Sequence, residues 1–276
     1  MGNIIWLASY PKSGNTWTRI FIQNLFLDPD KPIDINEVGN MTLGDGSKTW
    51  YEKVGGKPVD DMSPEEIAAL TPKVHKAFTN AYPDSVFVKT HSAVGALHGV
   101  PLITKECTAG VIYIVRNPLD VVISLADHYG LSLDGGIDMM NNPKATALPS
   151  ERKVDQIYGS WSSHVGSWHQ FSGPRMFTMR YEDMLHKPAK TFGKMAQFLG
   201  LKPPKQRLQK AIRFSSFNSL KKQESEKKFR EQSNQNEKFF RSGKSGQWKK
   251  ILSEEQVSRI VDCHGSIMKE FGYLPK

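Results

Sequence analysis

Three short stretches of the chain combine residue types that bind anions or move protons. Tyr10-Pro11-Lys12-Ser13-Gly14-Asn15-Thr16-Trp17 follows an apolar run directly and opens a helical pattern. A glycine and small hydroxyl residues at such a turn let backbone N–H groups face an anion, and the helix dipole adds to the attraction. Lys12 places a full positive charge in the same loop. Lysine precedes the loop's glycine, so this is not the GxxxxGK[ST] loop of nucleotide hydrolases. A second apolar run ends in Lys89-Thr90-His91. An unperturbed imidazole titrates near pH ~6.5, so His91 can accept a hydroxyl proton at neutral pH. A third run ends in Arg116-Asn117-Pro118, with Ser124 about two helical turns beyond. A guanidinium and a hydroxyl so spaced make a phosphate clamp.

These residues need elements to bring them together. Ile4 to Ala8, Val86 to Val88, Val111 to Val115 and Met176 to Met179 read as buried strands. Helical patterns run from Thr16 to Leu27, Leu119 to Tyr129 and Pro188 to Leu199, the last with Gly200 just past its end. Ile157, Trp161, Val165 and Trp168 recur at helical spacing and form a core face. Ser253-Glu254-Glu255-Gln256 is a capping box that opens a final helix to Phe271, and Ser63-Pro64-Glu65-Glu66 opens a shorter one. Strands alternating with helices predict an α/β fold with a central parallel sheet flanked by helices, whose ligands bind beyond the carboxyl ends of the strands. Segments of about 31 to 62, 130 to 153 and 221 to 247 are poor in regular pattern and read as functional loops, the third a basic lid.

With 276 residues the expectation is a single domain over 1–276. The 37 basic and 28 acidic residues give +9, which favours an anionic partner. No stretch approaches the roughly 18 to 20 apolar residues that cross a bilayer, so no membrane association is expected. The opening Met-Gly-Asn-Ile-Ile-Trp lacks a basic n-region and a cleavage site. Cys107 and Cys263 are the only cysteines, too few for a disulfide framework and not in a zinc pattern. A cytoplasmic location and no metal follow as expectations.

The first stretch resembles the donor loop of the cytosolic sulfotransferase family, which reads YPKSGTTW; seven of eight residues match, and Asn15 is the change. That family uses 3'-phosphoadenylyl sulfate (PAPS) and releases adenosine 3',5'-bisphosphate (PAP). The resemblance implies a P-loop-like nucleotide-binding architecture. It implies that Lys12, Ser13, Gly14, Asn15 and Thr16 hold the 5'-phosphosulfate while Trp17 stacks on the adenine. Arg116 to Ser124 fits the family's RNPxDxxxS, so Arg116 and Ser124 are implied 3'-phosphate ligands. Tyr181-Glu182-Asp183 is similar to its YED, whose tyrosine contacts the adenine. Ser215-Ser216-Phe217-Asn218-Ser219-Leu220 resembles TSFxxM, which brings Ser215 and Phe217 into the set. Phe240-Arg241-Ser242-Gly243-Lys244-Ser245-Gly246-Gln247-Trp248-Lys249 resembles FxRKGxxGDWK, with Ser242 and Gln247 as departures and Arg241 and Gly243 completing the phosphate pocket. Lys89-Thr90-His91 matches the KTH of KTHLP, which implies His91 as the catalytic base. Lys12 and Lys89 then act as catalytic cations.

The implied reaction is sulfuryl transfer to a hydroxyl or amine of a small-molecule acceptor. Trp50, Tyr51, Phe78, Tyr82, His128 and Tyr129 are candidates for the acceptor cavity. The family's KxxxTVxxxE dimer signature is not recognisable after Trp248, which leaves monomer and homodimer both open. Two alternatives stand beside this reading. A P-loop kinase or hydrolase needs a lysine after the glycine and an acidic metal ligand. A nucleic-acid or polyanion module draws on the basic segment with interleaved Phe229, Phe239, Phe240 and Trp248; no nucleic-acid partner is expected from the main reading.

Overall fold

β-Branched and aromatic residues at the apolar runs form four parallel strands where the pattern placed them. They are β1 (Ile4–Ser9), β3 (Val86–Thr90), β6 (Thr108–Val115) and β7 (Arg175–Arg180). The computed structural model describes residues 3–82, 84–147, 153–232 and 238–275. A fifth strand, β2 (Thr42–Gly44), pairs with β3, and the sheet order is β2-β3-β1-β6-β7. A small antiparallel pair, β4 (Ala96–Leu97) and β5 (Val100–Pro101), stands apart from this sheet.

The helices are α1 (Asn15–Leu27), α2 (Lys48–Gly55), α3 (Pro64–Ala81), α4 (Pro118–Tyr129), α5 (Leu133–Asn141) and α6 (Trp161–His169). They continue with α7 (Tyr181–His186), α8 (Pro188–Phe198), α9 (Lys205–Phe214), α10 (Phe217–Glu226), α11 (Trp248–Ile251) and α12 (Glu254–Glu270). Period-two alternation on the strands sorts the core into two layers. Trp6, Val88, Tyr113 and Val115 join the face that also holds Phe78, Trp161 and Ile260. Leu7, Phe87, Ile112 and Ile114 meet Phe21, Leu25, Phe192 and Met195 on the other. Among the described residues no helix is long and apolar enough to cross a membrane.

The three segments read as irregular carry more structure than expected. The first contains a 3₁₀ turn (Ile35–Asn40), β2 and α2. β2 is three residues long, too short for an alternating signal, and exists through its pairing with Val88 and Lys89 of β3. The second contains α5, capped by Ser132, whose hydroxyl accepts from the Gly135 N–H at 3.0 Å. Gly135-Gly136 hid that helix, yet a Cβ on Gly136 would sit 3.1 Å from the Ala126 Cβ, so α5 packs closely on α4 because of it. Residues 148–152 of this segment, and 233–237 of the basic lid, lie outside the described residues. The described part of the lid is anchored: Phe229 and Phe240 are buried with Ile20, Ile35 and Leu220. These two are core residues, while Phe239 and Trp248, the other aromatics interleaved in the basic segment, are half-buried. The helix opened by Ser63 is no short one either; α3 has 18 residues and passes through Pro72. Ile157 lies outside α6, in an isolated bridge to Thr146.

Candidate active site

Strand register brings the three stretches to one rim. Ala8 pairs with Thr90 and Ser9 with Ile114, so the turns after β1, β3 and β6 leave the sheet side by side. Val115 pairs with Arg180, which sets Arg116 beside Tyr181. Connections leave β1 and β6 toward opposite edges of the sheet, and such a switch point opens a crevice at the strand ends. A cavity of about 1300 Å³ lies there, and every predicted site residue except Ser13 and Ser215 lines it.

The loop after β1 is shaped for close approach. Lys12 and Gly14 have φ of 65° and 103°, in the left-handed region. A Cβ on Gly14 would stand 2.8 Å from the Tyr181 ring, so only glycine fits. Arg116 Nη1 donates to the Lys12 carbonyl at 2.9 Å, and its guanidinium lies 4.4 Å from the Tyr181 ring centroid. Among the described residues its buried Nε has no partner, and neither has Trp17 Nε1. Trp17 packs edge-on against Tyr181 at 5.8 Å while still lining the cavity. Burial pushes the Lys12 ammonium down to about 8, with the Arg116 charge adding to the effect.

His91 is oriented by the backbone of β1. Its Nδ1–H donates to the Ser9 carbonyl at 2.8 Å, which assigns the proton to Nδ1 and leaves the Nε2 lone pair free. Burial holds the imidazole well below its ordinary pKa, and the Lys89 charge pushes the same way, so it is neutral at pH 7. The His91 carbonyl accepts from His164 Nε2 at 3.1 Å, and His164 Nδ1 accepts from the Tyr113 hydroxyl at 2.8 Å. Burial pushes the Lys89 ammonium down to about 7, against the pull of Glu231.

Some predicted residues serve the scaffold. Ser215 is fully buried and its hydroxyl donates back to the Ala211 carbonyl at 2.8 Å, so it does not reach the cavity. Ser13 Oγ is buried inside the loop, leaving its backbone as what the loop can offer. Asn15 lines the cavity, but its amide donates to the Leu7 carbonyl at 2.8 Å and braces the end of β1. Gly243 has φ 61°, and a Cβ there would overlap the Phe217 ring. On the acceptor side, His128 and Tyr129 line the cavity. Tyr51 and Phe78 are core residues, Trp50 packs on Phe78 at 5.0 Å, and Tyr82 is 39% exposed on the surface; these four do not line it.

Several residues escaped the sequence reading. Arg19 is one helical turn from Thr16 on α1, a spacing that could have marked it. Its guanidinium donates to Glu231, whose carboxylate also accepts from Thr16 Oγ1 at 3.4 Å and lies 3.7 Å from Lys89 Nζ. Burial works to raise the Glu231 pKa, but Lys89 and Arg19 hold it well below the ordinary carboxylate range. Nothing local singled out Glu231 in a polar segment. Asp45, just after β2, accepts from Thr90 Oγ1 and Gln156 Nε2 and so ties the tip of β3 to the 153–158 segment. Burial pushes its carboxyl up to about 6. Glu182 accepts from the Asn117 N–H at 3.1 Å and from the Tyr273 hydroxyl at 2.7 Å, which couples the turns after β6 and β7.

A parallel sheet with cations and a neutral imidazole at its switch point defines an α/β protein with a positively charged cavity beyond its strand ends. Residues 3–272 match the Sulfotransferase domain, and the chain belongs to that family. It is 29% identical over 226 residues to dog Sulfotransferase 1B1, an alignment covering 78% of this chain and 65% of that protein. With the guinea pig 3-beta-hydroxysteroid sulfotransferase it shares 24% identity, over 98% of this chain and 84% of the relative. Its fold is similar to that of mouse sulfotransferase SULT7A1 complexed with PAP, with TM-score 0.62, 20% identity and coverage of 98% and 88%. Retinol dehydratase in a complex with retinol and PAP gives TM-score 0.65 at 19% identity, covering 97% and 81%.

Proposed function

We propose that this chain transfers a sulfuryl group from PAPS to a hydroxyl or amine of a small-molecule acceptor, with His91 as general base. The observation that carries the reading is the convergence of Lys12, His91 and Arg116 on one cavity. Two similar structures complexed with PAP, and relatives named as sulfotransferases, support it. The residues fit such a donor. Gly14 leaves a cradle that a methyl group would fill, and the orphaned Arg116 Nε and Trp17 Nε1 await partners. In this reading Arg116, Ser124, Arg241 and Gly243 hold the 3'-phosphate. Trp17, Tyr181 and Phe217 take the adenine. Lys12, Thr16 and the loop N–H groups take the 5'-phosphosulfate. Ser242 offers a hydroxyl where the family carries a lysine.

When bound, PAPS supplies the sulfuryl group and leaves as PAP. His91 Nε2 takes the proton from the acceptor hydroxyl, because Nδ1 is committed to Ser9 and the ring is neutral. Lys12 and Lys89 offset negative charge in a site screened from water, where preorganised cations act strongly. Replacing His91 by Ala should lower turnover of labelled donor by at least about 100-fold while PAP binding, followed by calorimetry, survives. Full turnover in that variant would remove His91 from the chemistry, and no heat on adding PAP would remove the donor assignment.

A further inference from the structure

The cavity runs along the sheet order. Tyr181 and Arg116 stand at the ends of β7 and β6, Lys12 follows β1, Lys89 and His91 close β3, and Asp45 follows β2. A donor held by Arg116 and Lys12 therefore leaves the β2 side of His91 to the acceptor. Lys153 lines the cavity on that side. Its backbone is bridged to Ser47, and the next N–H, of Val154, donates to the Gly46 carbonyl at 2.9 Å. The position is thus fixed by the stretch that follows β2. Among the described residues Lys153 has no ion-pair partner. The two carboxylates lining this cavity are already engaged: Asp45 by Thr90 and Gln156, Glu231 by Arg19 and Thr16. Lys153 lines the same cavity as His91, Lys89, Asp45 and Glu231, and its charge acts on all four.

We infer that Lys153 selects acceptors carrying an anionic substituent, such as a carboxylate, next to the hydroxyl or amine that reacts. This rests on the sulfuryl-transfer reading and names the acceptor class within it. Among the described residues a cationic acceptor would find no lining carboxylate that is not already engaged, and would meet Lys153 and Lys89 instead. An anionic one gains a counter-ion on the face of the base away from the donor.

The test uses matched acceptors in which a phenol, a primary alcohol and an amine each bear a carboxylate, a carboxamide or an ammonium group. Binding to the PAP-loaded protein is measured by calorimetry, and sulfation with labelled PAPS, for wild type, Lys153→Gln and Lys153→Glu. We expect the carboxylate member to lead the carboxamide by about five- to tenfold in affinity and in kcat/KM, with the ammonium member last. That ratio should fall toward one in Lys153→Gln and invert in Lys153→Glu. Equal ratios in all three proteins, or a lead by the ammonium member, overturn the inference and leave sulfuryl transfer standing. An equal loss for all three substituents on mutation also overturns it, since Lys153 would then act on the transfer and not on the choice of acceptor. PAP binding without sulfation of any member sinks the sulfuryl-transfer reading and this inference with it.

Discussion

Lys12 shows how one side chain can be both well placed and fragile. Its folded pKa of about 8 lies below the 10.5 of a free lysine, so between those values the unfolded chain holds the proton and the folded one does not. Anion binding that needs the ammonium is complete below pH 8 and is lost as pH rises through it. PAP affinity measured by calorimetry should therefore fall by up to about tenfold per pH unit above pH 8 and be accompanied by proton uptake. A flat profile to pH 10 would show that Lys12 does not hold the anion. At this scale the sequence was informative wherever a residue ended an apolar run: Lys12, His91 and Arg116 were all legible that way. Arg19 was half-legible from its helical spacing. Glu231 was not legible, because its partners lie more than 140 residues away and no local pattern encodes a long-range ion pair.

At the scale of elements, Asp120 in the first turn of α4 deserves the next experiment. Its carboxylate accepts from the Gly246 N–H at 2.6 Å and the Trp248 N–H at 3.1 Å, so the stretch carrying Arg241 and Gly243 hangs from α4. Asp120→Ala leaves two N–H groups without that acceptor and should cost about 1–3 kcal/mol in denaturant unfolding. PAP affinity should weaken alongside, whereas Asp120→Asn, which keeps one carbonyl acceptor, should lose less of both. Equal affinity in wild type and Asp120→Ala would detach the segment from donor binding. Helix and strand types were readable from periodicity, but adjacency was not. The Ala8–Thr90 and Val115–Arg180 pairings arise from how strands far apart in the sequence stack side by side in the sheet. β2 was invisible because three residues, one of them glycine, carry no period, and α5 because two glycines interrupt one.

Across the whole molecule, the interior holds histidines that must stay neutral. Burial takes His75 and His164 down to about 3, and both are essentially inaccessible to solvent. Their folded pKa lies below the unfolded 6.5, so the unfolded chain binds more protons under that pH and stability falls on acidification. The two together should remove about 3 kcal/mol by roughly pH 5.5, visible as a drop in Tm between pH 7 and pH 5.5. His164→Gln, which keeps a donor and an acceptor without titrating, should flatten part of that drop; an unchanged slope would exonerate His164. Because His164 also grips the carbonyl of His91, the seat of His91 belongs to the portion of the interior that acid dissolves. The His91 imidazole is itself held neutral by burial, well below its ordinary range. Sourness would loosen the chair while its occupant stayed neutral.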